Sequence, residues 1–304
     1  MSAPLPLPSF LQHGVDAAAR TMLQPPGGPV FDFIQPFGEE ALVGPDSVCW
    51  RIYKNAVSLF IGGVAAVILE LAEPGVRTGV WEHSTFRTDP IRRMRRTGMA
   101  AMITIYGPKS AAEAMIAGVV RMHGAVGGQT PKGRAYQAND QDLLTWVQAT
   151  ANFGFAGAYH RYVSLLSPAD LDRAYSEPLP ASRLYGVEQA PASHAEALAL
   201  FGAMADQLEP SSIIFDFLRI MRAAPAFPAP LRPLQHLMVK AAVELVPGWV
   251  RERLGLTALY GLGPLEERMV KAAGALSDRV ILSDSPAVQS CLRLGLPADH
   301  LYRR

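Results

Sequence analysis

The chain has 304 residues, 49% hydrophobic and only 18% charged, which excludes a disordered or fibrous protein. Its 28 Lys+Arg and 27 Asp+Glu leave a formal charge of +1, so no global field draws it to nucleic acid or to anionic lipid. The two cysteines, Cys49 and Cys291, lie far apart in sequence; this excludes a disulfide scaffold or a zinc site built from thiolates and fits a reducing compartment.

Residues 1–46 are punctuated by proline and glycine (PLPLP, QPPGGP, QPFGEEALVGPD) and carry period enough only for a short helix at about 9–23. Residues 1–47 are therefore expected as an arm over a main body at 48–304. The first residues lack a basic segment and place prolines where a signal peptide needs a continuous apolar helix, so a cytoplasmic location is expected. From Val48 on, apolar residues recur with helical spacing. They predict helices at about 49–72, 89–97 running on to about 106, 109–127, 140–166, 168–176, 193–207, 211–222, 230–245, 248–256 and 263–276. Asn139-Asp140, Ser167-Pro168 and Ser211-Ser212 read as helix starts, and Pro74, Pro178 and Pro225 as stops. The uncharged run Ala56 to Leu69 is shorter than the ~20 residues needed to cross a bilayer, and Lys54 and Glu70 bracket it, so it reads as a buried core helix. A mean hydropathy of +0.13 leaves open an internal apolar cavity or peripheral contact with a membrane. No segment alternates with period two, no repeat is present, and Gly124–Gly133 reads as a surface loop. The expected fold is one all-α domain.

Standard catalytic signatures are absent: there is no GxGxxG entering a helix, no Walker loop, no HExxH and no GxSxG. Of the seven histidines, His13, His194 and His300 fall in weakly patterned segments, and His236 sits among Leu234, Leu237 and Met238 as a core or groove residue would. His123 differs, because it follows Met115, Val119 and Met122 at i, i+4 and i+7 and so lies at the edge of an apolar helix face. The second feature is Arg92-Arg93-Met94-Arg95-Arg96-Thr97. Its bland reading is a solvated basic face, yet Arg93, Arg96 and Thr97 stand at i, i+3 and i+4 and share one side of a helix, with Arg92 and Arg95 pointing elsewhere. Cations turned inward need an anion or a polar cofactor edge to offset their desolvation.

These residues form part of a longer series: Trp50-Arg51, Gly62-Gly63, Ala65-Ala66, Ile68-Leu69, Gly79-Val80, His83-Ser84, Phe86, Asp89-Pro90, Arg96-Thr97, Met122-His123, Val126, Gly127, Gly133, Tyr136, Ala138, Trp146-Val147, Ala149-Thr150, Ala158-Tyr159 and Arg161-Tyr162. In order and spacing the series resembles the catalytic domain shared by the MpaB oxygenase and latex clearing protein, the rubber oxygenase, over about residues 48–222, with a helical extension at 223–304. The resemblance implies an all-α fold with a globin-like core holding haem b, and a single histidine as iron ligand, which by motif order is His123. It implies dioxygen and an apolar, isoprenoid- or lipid-like substrate. Arg93, Arg96 and Thr97 then take the place of the Arg-x-x-Lys-Thr element of the rubber oxygenases, with arginine where that element has a lysine able to give up its proton. The Gly62-Gly63 pair would let a flat macrocycle approach backbone. Gln148 stands where much of the family reads Trp-Val-His-Ala-Thr, so any acid, base or ligand role of that histidine is lost or moved. Two other classes compete: a non-catalytic helical protein that kept the fold and lost the cofactor, and a carrier of apolar ligands, which the hydropathy and 11 methionines would suit.

Overall fold

The computed structural model describes residues 31–256 and 260–303; the helix expected at 9–23 and His13 lie outside them. As expected, helices carry the fold. The run read as one helix over 49–72 divides into α1 (Val48–Tyr53) and α2 (Ala56–Glu70). The break is made by Asn55, whose side chain accepts from Ser58 N at 3.0 Å and donates to Gly274 O at 2.9 Å, while Lys54 Nζ pairs with Asp278 Oδ1 at 2.9 Å. A buried Asn that caps the next helix outweighs a continuous apolar pattern.

Pro74, read as a stop, opens a helix instead. It is the first residue of α3 (Pro74–His83), and Glu73 caps the helix by accepting from Val76 N at 2.7 Å. Next come α4 (Pro90–Tyr106) and α5 (Lys109–His123), a helical hairpin turned at Gly107-Pro108. The expected loop after His123 holds a short antiparallel pair, β1 (Gly127–Gln129) and β2 (Ala135–Gln137), with Gly128 opposite Tyr136. Gly133 takes φ +79° in its turn, a conformation that favours glycine. Then follow α6 (Gln141–Tyr162), α7 (Pro168–Ser176), α8 (Leu179–Leu184), α9 (His194–Ala203), α10 (Ser212–Ala223), α11 (Arg232–Leu245), α12 (Gly248–Leu254), α13 (Pro264–Ser277) and α14 (Pro286–Arg293). Like α3, α8 and α14 fall where the spacing of apolar residues predicts no helix.

The centre of the fold is the crossing of α2 and α6. Gly62 lies against Gly154, so close that a Cβ at Gly62 would come 2.6 Å from Gly154 O, and Trp146 Nε1 donates to Leu69 O at 3.2 Å. Those two contacts fix the helices as antiparallel. Around them Ile61, Ala65, Ile68, Leu69, Phe153 and Phe217 form the main core, joined by Met238, Val239 and Val243 of α11, so helices beyond residue 222 share it. A second core surrounds Trp50 and Tyr106: Trp50 Nε1 donates to Val43 O (2.7 Å) and Ile105 O (3.0 Å), and Tyr106 Oη donates to Trp50 O at 2.6 Å. Here the buried Arg293 gathers distant carbonyls, donating to Phe33 O (2.6 Å), Glu39 O (2.8 Å) and Tyr106 O (2.6 Å). Both cysteines are free and buried. Among the described residues no single helix is long and apolar enough to cross a membrane.

Candidate functional site

The α4–α5 hairpin is fastened at its turn and open at its other end. The buried side chains of α4 are Met102, Ile103, Ile105 and Tyr106, all at its C-terminus, and those of α5 are Ala112 and Ile116, in its first half. The opposite ends, with Arg93 on α4 and His123 on α5, are only half-buried, and Arg93 stands near both His123 and Glu70 at the C-terminus of α2. Asp89 starts α4 by accepting from Arg92 N at 3.1 Å, which turns Arg93 toward Glu70 and leaves Arg92 in solvent.

Arg93 lies within electrostatic reach of both Glu70 and His123, and the three form a cluster around its guanidinium. Each is largely surrounded by protein yet keeps some accessible surface. Burial pushes the Glu70 carboxyl up to about 7, with the Arg93 charge pulling the other way. Burial likewise lowers the Arg93 guanidinium from its ordinary range, opposed by Glu70, with which it makes no direct ion pair. His123 is held below the usual histidine range, first by burial and then by the charge of Arg93. At neutral pH this cluster therefore holds a fixed cation, a neutral imidazole and a carboxyl able to exchange its proton.

His123 also stands apart in its bonding. Neither of its ring nitrogens has a hydrogen-bond partner among the described residues. His160 Nδ1 accepts from Leu166 N (3.0 Å), His194 Nδ1 meets Tyr175 Oη (3.0 Å), His236 Nε2 donates to Arg222 O (3.1 Å), and His300 Nε2 lies 3.4 Å from Asp46 Oδ1. His83 is exposed at the end of α3.

Other sequence-predicted site residues fall elsewhere. Arg96 and Thr97 are exposed, and the Thr97 hydroxyl donates to Arg93 O at 3.1 Å within its own helix. On the helical wheel the three positions span about 100° with Arg93 in the middle, and only the middle of that arc is turned into the protein. Arg95, expected in water, is half-buried. Gly62 offers no room to a macrocycle, because the α6 backbone fills the space beside it; Gly63 has only Phe155 Cε1 nearby, 3.8 Å from where a Cβ would be. Gln148 is half-buried on α6 and donates to Asn152 Oδ1 at 3.4 Å. Asn152 Nδ2 is then left unpartnered beside a cavity of about 10 Å³ lined by Tyr53, Ile105 and Phe155, room for about one water. Glu70 was missed. Its only sequence signal was its position as the charged end of an uncharged run.

Among the described residues no group of three or more His, Cys, Asp or Glu gathers to hold a metal, so a metal at His123 would rely largely on ligands that it brings with it. A family model described as ER-bound oxygenase mpaB/B'/rubber oxygenase, catalytic domain, matches residues 50–279. That stretch contains Glu70, Arg93, His123 and Gln148. No curated protein and no solved structure matches the chain.

Proposed function

Because the chain belongs to the mpaB and rubber oxygenase catalytic-domain family, we propose that it is a haem b-dependent oxygenase acting on an apolar, isoprenoid- or lipid-like substrate with dioxygen. The observation that carries this reading is His123: half-buried, neutral, and with both ring nitrogens unbonded, it is an imidazole ready to ligate. When bound, the haem supplies the redox chemistry on dioxygen. The donor set suits such a group. Arg93 is a largely desolvated cation without a direct ion pair, able to pair with a propionate carboxylate, and the half-buried Val67, Met94 and Val119 supply apolar surface on the same helices. Glu70 exchanges a proton near neutral pH, and Arg93 sets where it does so. Arg96 and Thr97 are exposed and take no part in this cluster.

Haemin titration followed by absorption spectroscopy tests the reading, with dioxygen consumption on an unsaturated isoprenoid as the second measurement. The expected result is a Soret band saturating at one haem per chain. A protein that stays colourless would instead be a non-catalytic member that kept the fold, with Gln148 as the trace of the loss.

A further inference from the structure

Residues 87–96 (RTDPIRRMRR) carry five arginines against one carboxylate, in a chain whose formal charge is only +1, so the rest of the molecule is net negative. None of the five forms an ion pair with a carboxylate among the described residues. Elsewhere arginines do: Arg51 meets Asp170 at 2.9 Å, Arg173 meets Glu177 at 2.7 Å, Arg251 meets Glu244 at 2.7 Å and Arg303 meets Asp299 at 2.7 Å. Asp89 is engaged in capping α4, and the first turn of that helix holds no acidic residue. Arg92, Arg95 and Arg96 fall within about 100° of one face of α4, Arg92 and Arg96 exposed and Arg95 half-buried, while Arg93 is turned toward Glu70. At the facing end of α5, Arg121 and Met122 are exposed.

This face works against its own helix. Cations in the first turns stand at the positive end of the helix dipole, and like charges at i, i+3 and i+4 repel, so Arg92, Arg95 and Arg96 are all unfavourable to α4. An anion from elsewhere in the fold would offset that cost, and among the described residues none does. We propose that the Arg92, Arg95 and Arg96 face of α4 is a docking surface for an acidic protein partner whose carboxylates meet these guanidiniums. A guanidinium takes a carboxylate by two parallel bonds and is less strongly hydrated than an ammonium, and all five cations are arginine. Arginine and methionine, both exposed here, are also enriched in protein interfaces. A nucleic acid strand would run past a face only about 6 Å long, from Arg92 to Arg96, onto a surface that is net negative. Residues 1–30 hold one carboxylate, Asp16, against Arg20, so the chain's own first segment does not supply the anion. The inference is independent of the haem reading.

The test is fluorescence anisotropy of a labelled octaglutamate peptide titrated with the full chain, beside labelled octaglutamine and labelled octathymidylate. Octaglutamate is expected to bind and octaglutamine not, and the binding should weaken as salt is raised. R92E/R96E should weaken octaglutamate binding by about tenfold or more. R222E/R268E, which makes the same change in net charge at exposed arginines outside the face, should leave it nearly unchanged. Because carboxylates suit the start of a helix, R92E/R96E should not lower the thermal midpoint, which separates lost docking from lost folding. Absence of octaglutamate binding, or equal binding by the wild type and R92E/R96E, overturns the inference. So does octathymidylate binding tighter than octaglutamate and lost in R92E/R96E, since phosphate would then be the ligand. A wild-type dimer in sedimentation velocity that R92E/R96E dissolves overturns it too, by making the face an interface between copies.

Discussion

Where α2 crosses α6, Gly62 and Gly154 bring backbone against backbone and no charged side chain comes between; where α4 meets α5, the pair is closed at Gly107 and open at the end that carries Arg93 and His123. Glycine has opposite meanings in the two readings of this chain. At Gly62 it marks a helix contact rather than room for a flat ligand, and the ligand-competent groups lie at the half-buried ends of α4 and α5. Close packing leaves no space for a desolvated cation, whereas a half-open hairpin can keep Arg93 near Glu70 and His123 with some access to water.

The largest expected effect is at the closed crossing. Gly154→Val places a branched side chain where a Cβ alone would be 2.3 Å from Gly62 O, and it should cost about 3 kcal/mol or more, read as a fall in the thermal midpoint. A normally stable Gly154→Val protein would mean that the crossing is looser than described. At the open hairpin, His123→Ala should leave the midpoint nearly unchanged yet weaken haemin binding by more than the about 10- to 100-fold that loss of an outer-shell partner costs. His160→Ala should do the reverse: it keeps haemin and loses about 1 kcal/mol, because Leu166 N is left without its acceptor.

Arg93→Ala should lower haem retention less than His123→Ala does, with Arg92→Ala and Arg96→Ala close to neutral, as haem occupancy after gel filtration would measure. Equal losses at all three would reduce the arginines to a solvated basic face. A smaller effect is the pH dependence of the haem-free protein. The Glu70 carboxyl is raised to about 7 in the fold, so the folded chain holds a proton that the unfolded chain releases at about 4.5. Its contribution to stability is fully present below about 4.5 and is lost as pH rises through about 7. Midpoints measured across this window should fall in the wild type and flatten in Glu70→Gln; in Arg93→Ala, which removes the lowering charge, the window should extend upward. The smallest effect is Gly63→Ala, whose Cβ meets only Phe155 Cε1 at 3.8 Å and which should gain about 0.5–1 kcal/mol of helix stability.

Helical period alone located α4, α5, α6 and α11 to within a few residues, because each buries one face. Proline carries two meanings that single-sequence patterns do not separate: Pro74 reads as a stop and Pro286 lies beyond the last expected helix, yet each stands at a helix start behind a capping Glu73 or Ser285. The β1–β2 pair was invisible because three residues per strand, several of them glycine, give no alternation to detect. Of the site, His123 was named by resemblance, and the free state of its ring needed coordinates. The helical wheel puts Arg93, Arg96 and Thr97 on one arc but holds no information on which of them the neighbouring helices cover. Glu70 became visible only when α2 and α4 were placed beside each other.

Arg293 has a consequence for the order in which the protein can be completed. Its guanidinium supplies donors to Phe33 O and Tyr106 O, carbonyls 260 and 187 positions earlier in the chain. During synthesis the region around Trp50 therefore emerges long before the side chain that satisfies its buried carbonyls, and those acceptors must stay hydrated until translation has passed residue 293. The first-made stretch of this core is among the last to be sealed.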